Sequence, residues 1–135
     1  MPITKGCMQM VEEASRRIRT LSLEEAIKKH GDPDVVFVDL RDVRELEREG
    51  MIPDAVHAPR GMLEFWVDPA SPYFKAVFGS GKEFVFYCAA AWRSALAASA
   101  VQEMGLERVA HLAGGFSAWK KAGAPVAERP RKPGH

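Results

Sequence analysis

Two runs of the chain, VVFV at 35–38 and FVFY at 84–87, are apolar at every position and β-branched or aromatic throughout. A strand with one face in water alternates apolar and polar residues. These runs do not, so each is expected as a strand buried on both faces, as in a parallel sheet covered by helices. Segments of helical character fall between such runs. Val11, Ala14, Ser15 and Ile18 stand at helical spacing among charges and predict a short amphipathic helix over 11–19, an N-terminal extension occupying residues 1–20. Ser22 and Glu25 have capping-box spacing, which starts a helix over 23–30 with Gly31 placed to end it. A helix at 43–49 closed by Gly50, an apolar stretch at 55–58, a helix at 94–104 before Gly105, a strand at 109–112 and a helix at 116–122 before Gly123 complete the order. Strands alternating with helices predict an α/β fold. The connection 59–82 is rich in aromatics, is broken by Pro69 and Pro72, and has room for one or two short helices, whereas 128–135 offers nothing to bury and reads as a flexible tail.

Composition narrows the function. At 135 residues, 47% of them apolar, the chain suits one domain with a sizeable core. Nineteen basic against eighteen acidic residues leave a formal charge of +1, so no global field favours a nucleic acid or an acidic membrane as partner. The first twenty residues have no apolar core of signal-peptide length, and the longest apolar run, 84–92, is well short of the ~20 residues that span a bilayer. A soluble, cytoplasmic protein is expected. Two cysteines without close Cys or His neighbours make neither a disulfide framework nor a zinc site. His30, His57 and His111 are scattered, and no metal or cofactor is expected. One or two free thiols remain.

Cys88 is the one with companions. It follows the 84–87 run and precedes an alanine-rich helix, the place where open α/β sheets put their ligand sites. The loop Ala89, Ala90, Ala91, Trp92, Arg93 and Ser94 must turn the chain and present the unpaired amides of a helix N-terminus, which stabilise negative charge on the Cys88 sulfur. Arg93 adds a permanent cation. Amides and guanidinium together suit a small anion that a Cys88 thiolate attacks, with the three alanines leaving space. The plain alternative for a lone cysteine at a strand end is a small buried hydrophobe; the arginine, the short loop and the helix start argue against it. Cys7 lacks these companions and reads as an incidental, exposed thiol in a mobile segment.

The run from Cys88 to Arg93 and Ser94 after a hydrophobic strand resembles the active-site loop of the rhodanese-like sulfurtransferases. VDLRD at 38–42 followed by GMIPDA at 50–55 is similar to that family's strand-one and "GHIPGA" signatures, and GGFSAW at 114–119 to its "GGxxxW". The likeness spans about residues 21–126, with the domain at 21–127. It implies a three-layer α/β sandwich with a central five-stranded parallel sheet between helices. It also implies a double displacement in which Cys88 takes sulfane sulfur from a small anionic donor such as thiosulfate, forms a persulfide and passes the sulfur to an acceptor, a small thiol, cyanide or a protein. A terminal persulfide sulfur is a compact anion that a ring of amides suits. Three positions depart from the pattern. Ala91 stands where the family loop has glycine, a strain of ~1 kcal/mol or more if φ is positive there, and Met51 and Asp54 replace the His and second Gly of "GHIPGA".

Asp39 and Arg41, after the 35–38 strand, fall near the mouth of the same site, either as a pair supporting the loop and donor or as a solvated turn. Arg60 can supply a second positive charge or be an ordinary surface residue. Trp92 is expected as a pocket wall and Trp119 as packing, on one helix face with Phe116. Phe65, Trp66, Tyr73 and Phe74 suit either a docking surface for an acceptor protein or a lid over the sheet. Two other functions use related architecture. A cysteine phosphatase or arsenate reductase also uses a Cys-to-Arg loop, but one residue longer and with a carboxylic acid as general acid; a non-catalytic binding module would have lost the nucleophile.

Overall fold

The apolar runs form the strands that their missing alternation requires. The computed structural model describes residues 2–131. Its strands are β1 (Arg19–Leu21), β2 (Val35–Asp39), β3 (Val56–His57), β4 (Glu83–Tyr87) and β5 (Val109–Leu112), all parallel, in the order β1-β5-β4-β2-β3. In β4, Phe84 and Phe86 join one core cluster while Val85 and Tyr87 join the other, so both faces are dry. Three helices, α1 (Cys7–Arg17), α4 (Leu63–Val67) and α5 (Trp92–Glu103), cover the first face with Ala14, Leu63, Ala95 and Val101 buried. The second face receives Ala26 of α2 (Leu23–Lys29), Ile52, and Phe116 and Trp119 of α6 (Gly115–Lys121). The remaining helix, α3 (Val43–Glu49), joins β2 to the short β3.

Helix starts follow local chemistry. The Ser22 hydroxyl accepts from the Glu25 amide and the Glu25 carboxylate accepts from the Ser22 amide, both at 3.1 Å, as the spacing predicts. Asp42 and Glu45 form a second capping box at α3. The 59–82 connection carries α4 and two 3₁₀ turns, Arg60–Met62 and Ala76–Gly79. Trp66 and Phe74 pack against the core beside buried Phe78, as expected of a cover over the sheet, whereas Phe65 and Tyr73 are exposed.

Several boundaries differ from expectation. Arg19–Leu21 is an edge strand that the sequence did not announce, and the expected limit between an extension at 1–20 and a domain from 21 falls inside it. Cys7 is exposed but helical, opening α1 rather than lying in a loose segment. Met1 and 132–135 lie outside the described residues. Of the expected tail, Arg129, Pro130 and Arg131 line a cavity of 620 Å³ together with Val43, Arg44, Glu47 and His57. No helix among the described residues is long and apolar enough to cross a membrane.

Because Ala14 and Ile18 are buried, α1 and the turn after it belong to the core of the first face. Ile18→Ala should therefore cost about 2–3 kcal/mol in urea unfolding; a loss within ~0.5 kcal/mol, the range of surface positions, would show instead that this segment is peripheral.

Candidate active site

All strands point the same way, so their carboxyl ends share one edge. The chain leaves β2 towards β3 on one side and β4 towards β5 on the other, which places a switch point between β2 and β4. Cys88 follows β4 there, 1% exposed, and Asp39 ends the neighbouring β2.

The Cys88 loop is clamped from two sides. On one, the Ser94 amide in the first turn of α5 donates to the Cys88 sulfur at 3.4 Å, and the Ser94 hydroxyl lies 3.7 Å from it. The first amides of a helix have no partner within the helix, so this turn supplies donors and dipole to the sulfur. On the other, the Phe116 and Ser117 amides of α6 donate to the Cys88 and Ala89 carbonyls at 2.7 and 3.1 Å. Gly115 permits that approach: its φ is +61°, and a Cβ there would lie 2.5 Å from the Cys88 carbonyl oxygen. The double glycine is the seat of the cysteine loop.

Ala91, the residue before α5, has φ +82°. The position does demand the left-handed conformation, and alanine bears the strain anticipated for it. Asp54, the other replaced glycine, has φ +65°; a short polar side chain tolerates that region better. With Ala91 reversing the chain, α5 begins two residues earlier than expected and carries Trp92 and Arg93 in its first turn. Trp92 is 58% exposed at the outer side of the loop, not a wall of the site.

Arg93 is not a free cation. Its guanidinium donates twice to Glu45, at 2.8 and 3.0 Å. Those bonds, and then the Glu45 charge, hold it above the ordinary arginine value against the opposing effect of burial. Glu45 is correspondingly held below the usual carboxylate range, first by Arg93. It also caps α3 through the Asp42 amide at 2.9 Å.

Asp39 and Arg41 form a fully buried ion pair, 2.7 Å at its shortest, not a solvated turn. Arg41 also donates to the Gly50 carbonyl at 2.7 Å, and its guanidinium carbon lies 4.3 Å from the centre of the Phe116 ring. Burial, and then the Asp39 carboxylate, raise the Tyr87 phenol above its usual value, while its oxygen accepts from the Ile52 amide. Arg60 pairs with Glu64 at 2.7 Å and lines a groove together with Arg17 of α1 and Leu96 of α5. Trp119 is wholly buried, its indole donating to the Pro125 carbonyl, as expected of a packing residue.

The histidines among the described residues do not converge, but one of them reaches the site. His30 meets the Pro53 carbonyl and the edges of Phe37 and Trp119, and His57 meets the Arg41 carbonyl. His111, in contrast, contacts the Ser94 hydroxyl. Sequence reading missed both His111 and Glu45. Glu45 had a signal in its capping-box spacing from Asp42; His111 had none, because its partners come from distant segments.

A strand-end cysteine on a loop between two helix N-termini, with Arg93 five residues on, marks an α/β domain built around a cysteine loop. Residues 22–122 match the rhodanese-like domain family, and the chain belongs to that family. A sulfurtransferase from Allochromatium vinosum is 32% identical over 93 residues, 69% of this chain and 78% of that protein. A solved structure from Rhodopseudomonas palustris, a protein of unknown function and possible tyrosine phosphatase, is 53% identical with a TM-score of 0.91, over 94% of this chain and 98% of that one. The polysulfide-sulfur transferase homodimer of Wolinella succinogenes is 28% identical with a TM-score of 0.67, over 93% and 90% of the respective chains. The five-stranded parallel sheet expected from the resemblance is thus the fold, and the family is that of sulfurtransferase-type enzymes.

Replacing Ala91 with glycine removes a steric cost of ~1–2 kcal/mol and adds back ~0.4–1 kcal/mol of unfolded-chain entropy. Ala91→Gly should raise stability by about 0.5–1 kcal/mol in urea unfolding, and a destabilised variant would show that the alanine is held there by packing.

Proposed function

We propose that the protein transfers sulfane sulfur from an anionic donor, thiosulfate being the simplest, to a nucleophilic acceptor through a persulfide on Cys88. The observation that carries this reading is the Cys88 sulfur at the switch point, met by the Ser94 amide at 3.4 Å, with Arg93 in the same helical turn. The Cys88 thiolate attacks the outer sulfur of thiosulfate, a sulfur–sulfur bond forms, and the bond to the inner sulfur breaks, releasing sulfite with the electron pair. A terminal anionic sulfur then sits on Cys88 among fixed donors that were in place beforehand. An acceptor such as cyanide or a thiolate attacks that sulfur and returns Cys88 as thiolate. Asp39 and Arg41 act by supporting the loop, and a reactive thiol of this kind suits a reducing cytoplasm.

A second reading, a cysteine phosphatase, draws on the likeness to the Rhodopseudomonas palustris protein. Four residues between Cys88 and Arg93, rather than five, favour sulfur over a tetrahedral phosphoryl group, as does the engagement of Arg93 by Glu45.

Incubation with thiosulfate should add one sulfur atom to the intact protein by mass spectrometry. Cys88→Ser should abolish the gain and Cys7→Ser should leave it. No gain in the wild type, together with hydrolysis of an aryl phosphate, would move the assignment to the phosphatase. Glu45 competes with an anionic donor for Arg93, so Glu45→Gln should lower KM for thiosulfate about two- to fivefold, the range for a partly exposed ion pair. A raised KM would mean that Glu45 serves to orient Arg93.

A further inference from the structure

Behind Cys88 a line of polar side chains crosses the buried face of the sheet. Ser94 Oγ, 3.7 Å from the Cys88 sulfur, lies 3.0 Å from Nδ1 of His111. The other ring nitrogen of His111, Nε2, lies 3.0 Å from the hydroxyl of Thr20. Thr20 is the register partner of His111 across the β1–β5 pair and stands exposed at the sheet edge. His111 itself is 4% exposed, so its ring has these two hydroxyls in place of water.

A neutral imidazole donates from one nitrogen and accepts at the other, and each hydroxyl donates once. The line therefore runs in one of two directions. With Cys88 protonated, the thiol donates to Ser94, Ser94 to Nδ1, and Nε2–H to Thr20. With Cys88 anionic, Thr20 donates to Nε2, Nδ1–H donates to Ser94, and the Ser94 hydroxyl turns to the sulfur. Only the second arrangement gives the anion a hydroxyl donor, and it needs the proton on Nδ1.

We infer that His111 is a positioning residue: through its Nδ1–H it holds the Ser94 hydroxyl as a donor to the anionic Cys88 sulfur, with Thr20 closing the line to solvent. Passage between the two arrangements is balanced. The Cys88 proton goes to Ser94, the Ser94 proton to Nδ1, the Nε2 proton to Thr20, and the Thr20 proton to water; nothing is oxidised or reduced. Burial holds the His111 ring below its ordinary value, consistent with a neutral relay. The charged group at the sulfur is Arg93, itself paired to Glu45. The inference rests on Cys88 being the nucleophile, but its test does not require sulfur transfer.

The test is the pH profile of iodoacetamide alkylation of Cys88, followed by intact mass in a Cys7→Ser background. His111→Leu should move the midpoint of the profile up by about one pH unit, the scale of one hydrogen bond to a charged group. His111→Asn, which keeps an N–H near the position of Nδ1, should recover at least half of that shift. Ser94→Ala should move the midpoint as far as His111→Leu, and the double variant no further, because His111 acts through Ser94. An unshifted His111→Leu profile, or additive shifts in the double variant, would overturn the inference. Should His111→Leu fail to fold, Thr20→Val at the exposed edge gives the same reading: a smaller upward shift supports the line, and none overturns it. Failure to accept sulfur from thiosulfate with these shifts present would count against the donor and leave the relay standing.

Discussion

At the centre of the molecule a guanidinium has been taken wholly out of water. Arg41 lies at the carboxyl end of β2, and burying its charge is tolerable only because Asp39 meets it with both oxygens, the Gly50 carbonyl takes another donor, and the Phe116 ring lies against its face. Four segments that are far apart in sequence are thereby held to one cation: the end of β2, the end of α3, the end of β4 through Tyr87, and the first turn of α6. Loss of one member of such a pair leaves the other charge buried and alone, a cost of about 3–5 kcal/mol. The effect reaches the sulfur, because the Phe116 amide holds the Cys88 carbonyl at 2.7 Å.

The electrostatics of the site differ in kind from a cationic clamp. Near-neutral composition already implied that any positive potential had to be local, and Arg93 was the obvious source. Glu45 offsets it. What is seen to meet the sulfur directly are neutral dipoles: the Ser94 amide at the start of α5 and the Ser94 hydroxyl. Such groups are fixed by the backbone and need no reorganisation as charge arrives. They also sit on buried atoms, where salt screens little, whereas the half-exposed Arg93–Glu45 pair is open to it.

The parts of this structure that were legible in the sequence are those whose cause is local. A strand dry on both faces shows itself as an unbroken apolar run, and β2 and β4 were placed on that ground. The capping box at Ser22 is written in two residues three apart. The demand for positive φ at Ala91 was readable because glycine stands there in the motif that the chain resembles, whereas at Asp54 the sequence showed only a departure from glycine and the structure supplies the φ of +65°. What escaped depends on contacts across the fold. Strand β1 has three residues, two of them exposed, and exists because β5, some ninety positions later, offers it an edge. His111 reads as one polar interruption of an apolar run; its meaning lies in Ser94 and Thr20, 17 and 91 residues away. Arg41 was legible as a partner for Asp39, but not as buried, since burial is decided by α3 and α6.

Under the sulfur transfer proposed above, these two kinds of charge compensation divide the work of admitting an anion and then keeping one. Admission depends on Arg93, which is partly exposed and already engaged, so an incoming donor has to draw the guanidinium from Glu45 in a setting where the exchange costs little. Retention depends on the buried dipoles around Cys88, where an anion left without donors would be costly and one that is fully bonded is held firmly. A sulfur anion on Cys88 gains from the second set whether or not Arg93 is released, and Arg93 can return to Glu45 once the donor's remainder has left. The ion pair and the hydroxyl line thus bear on different steps, and their separation follows from which charges the fold leaves near water and which it removes.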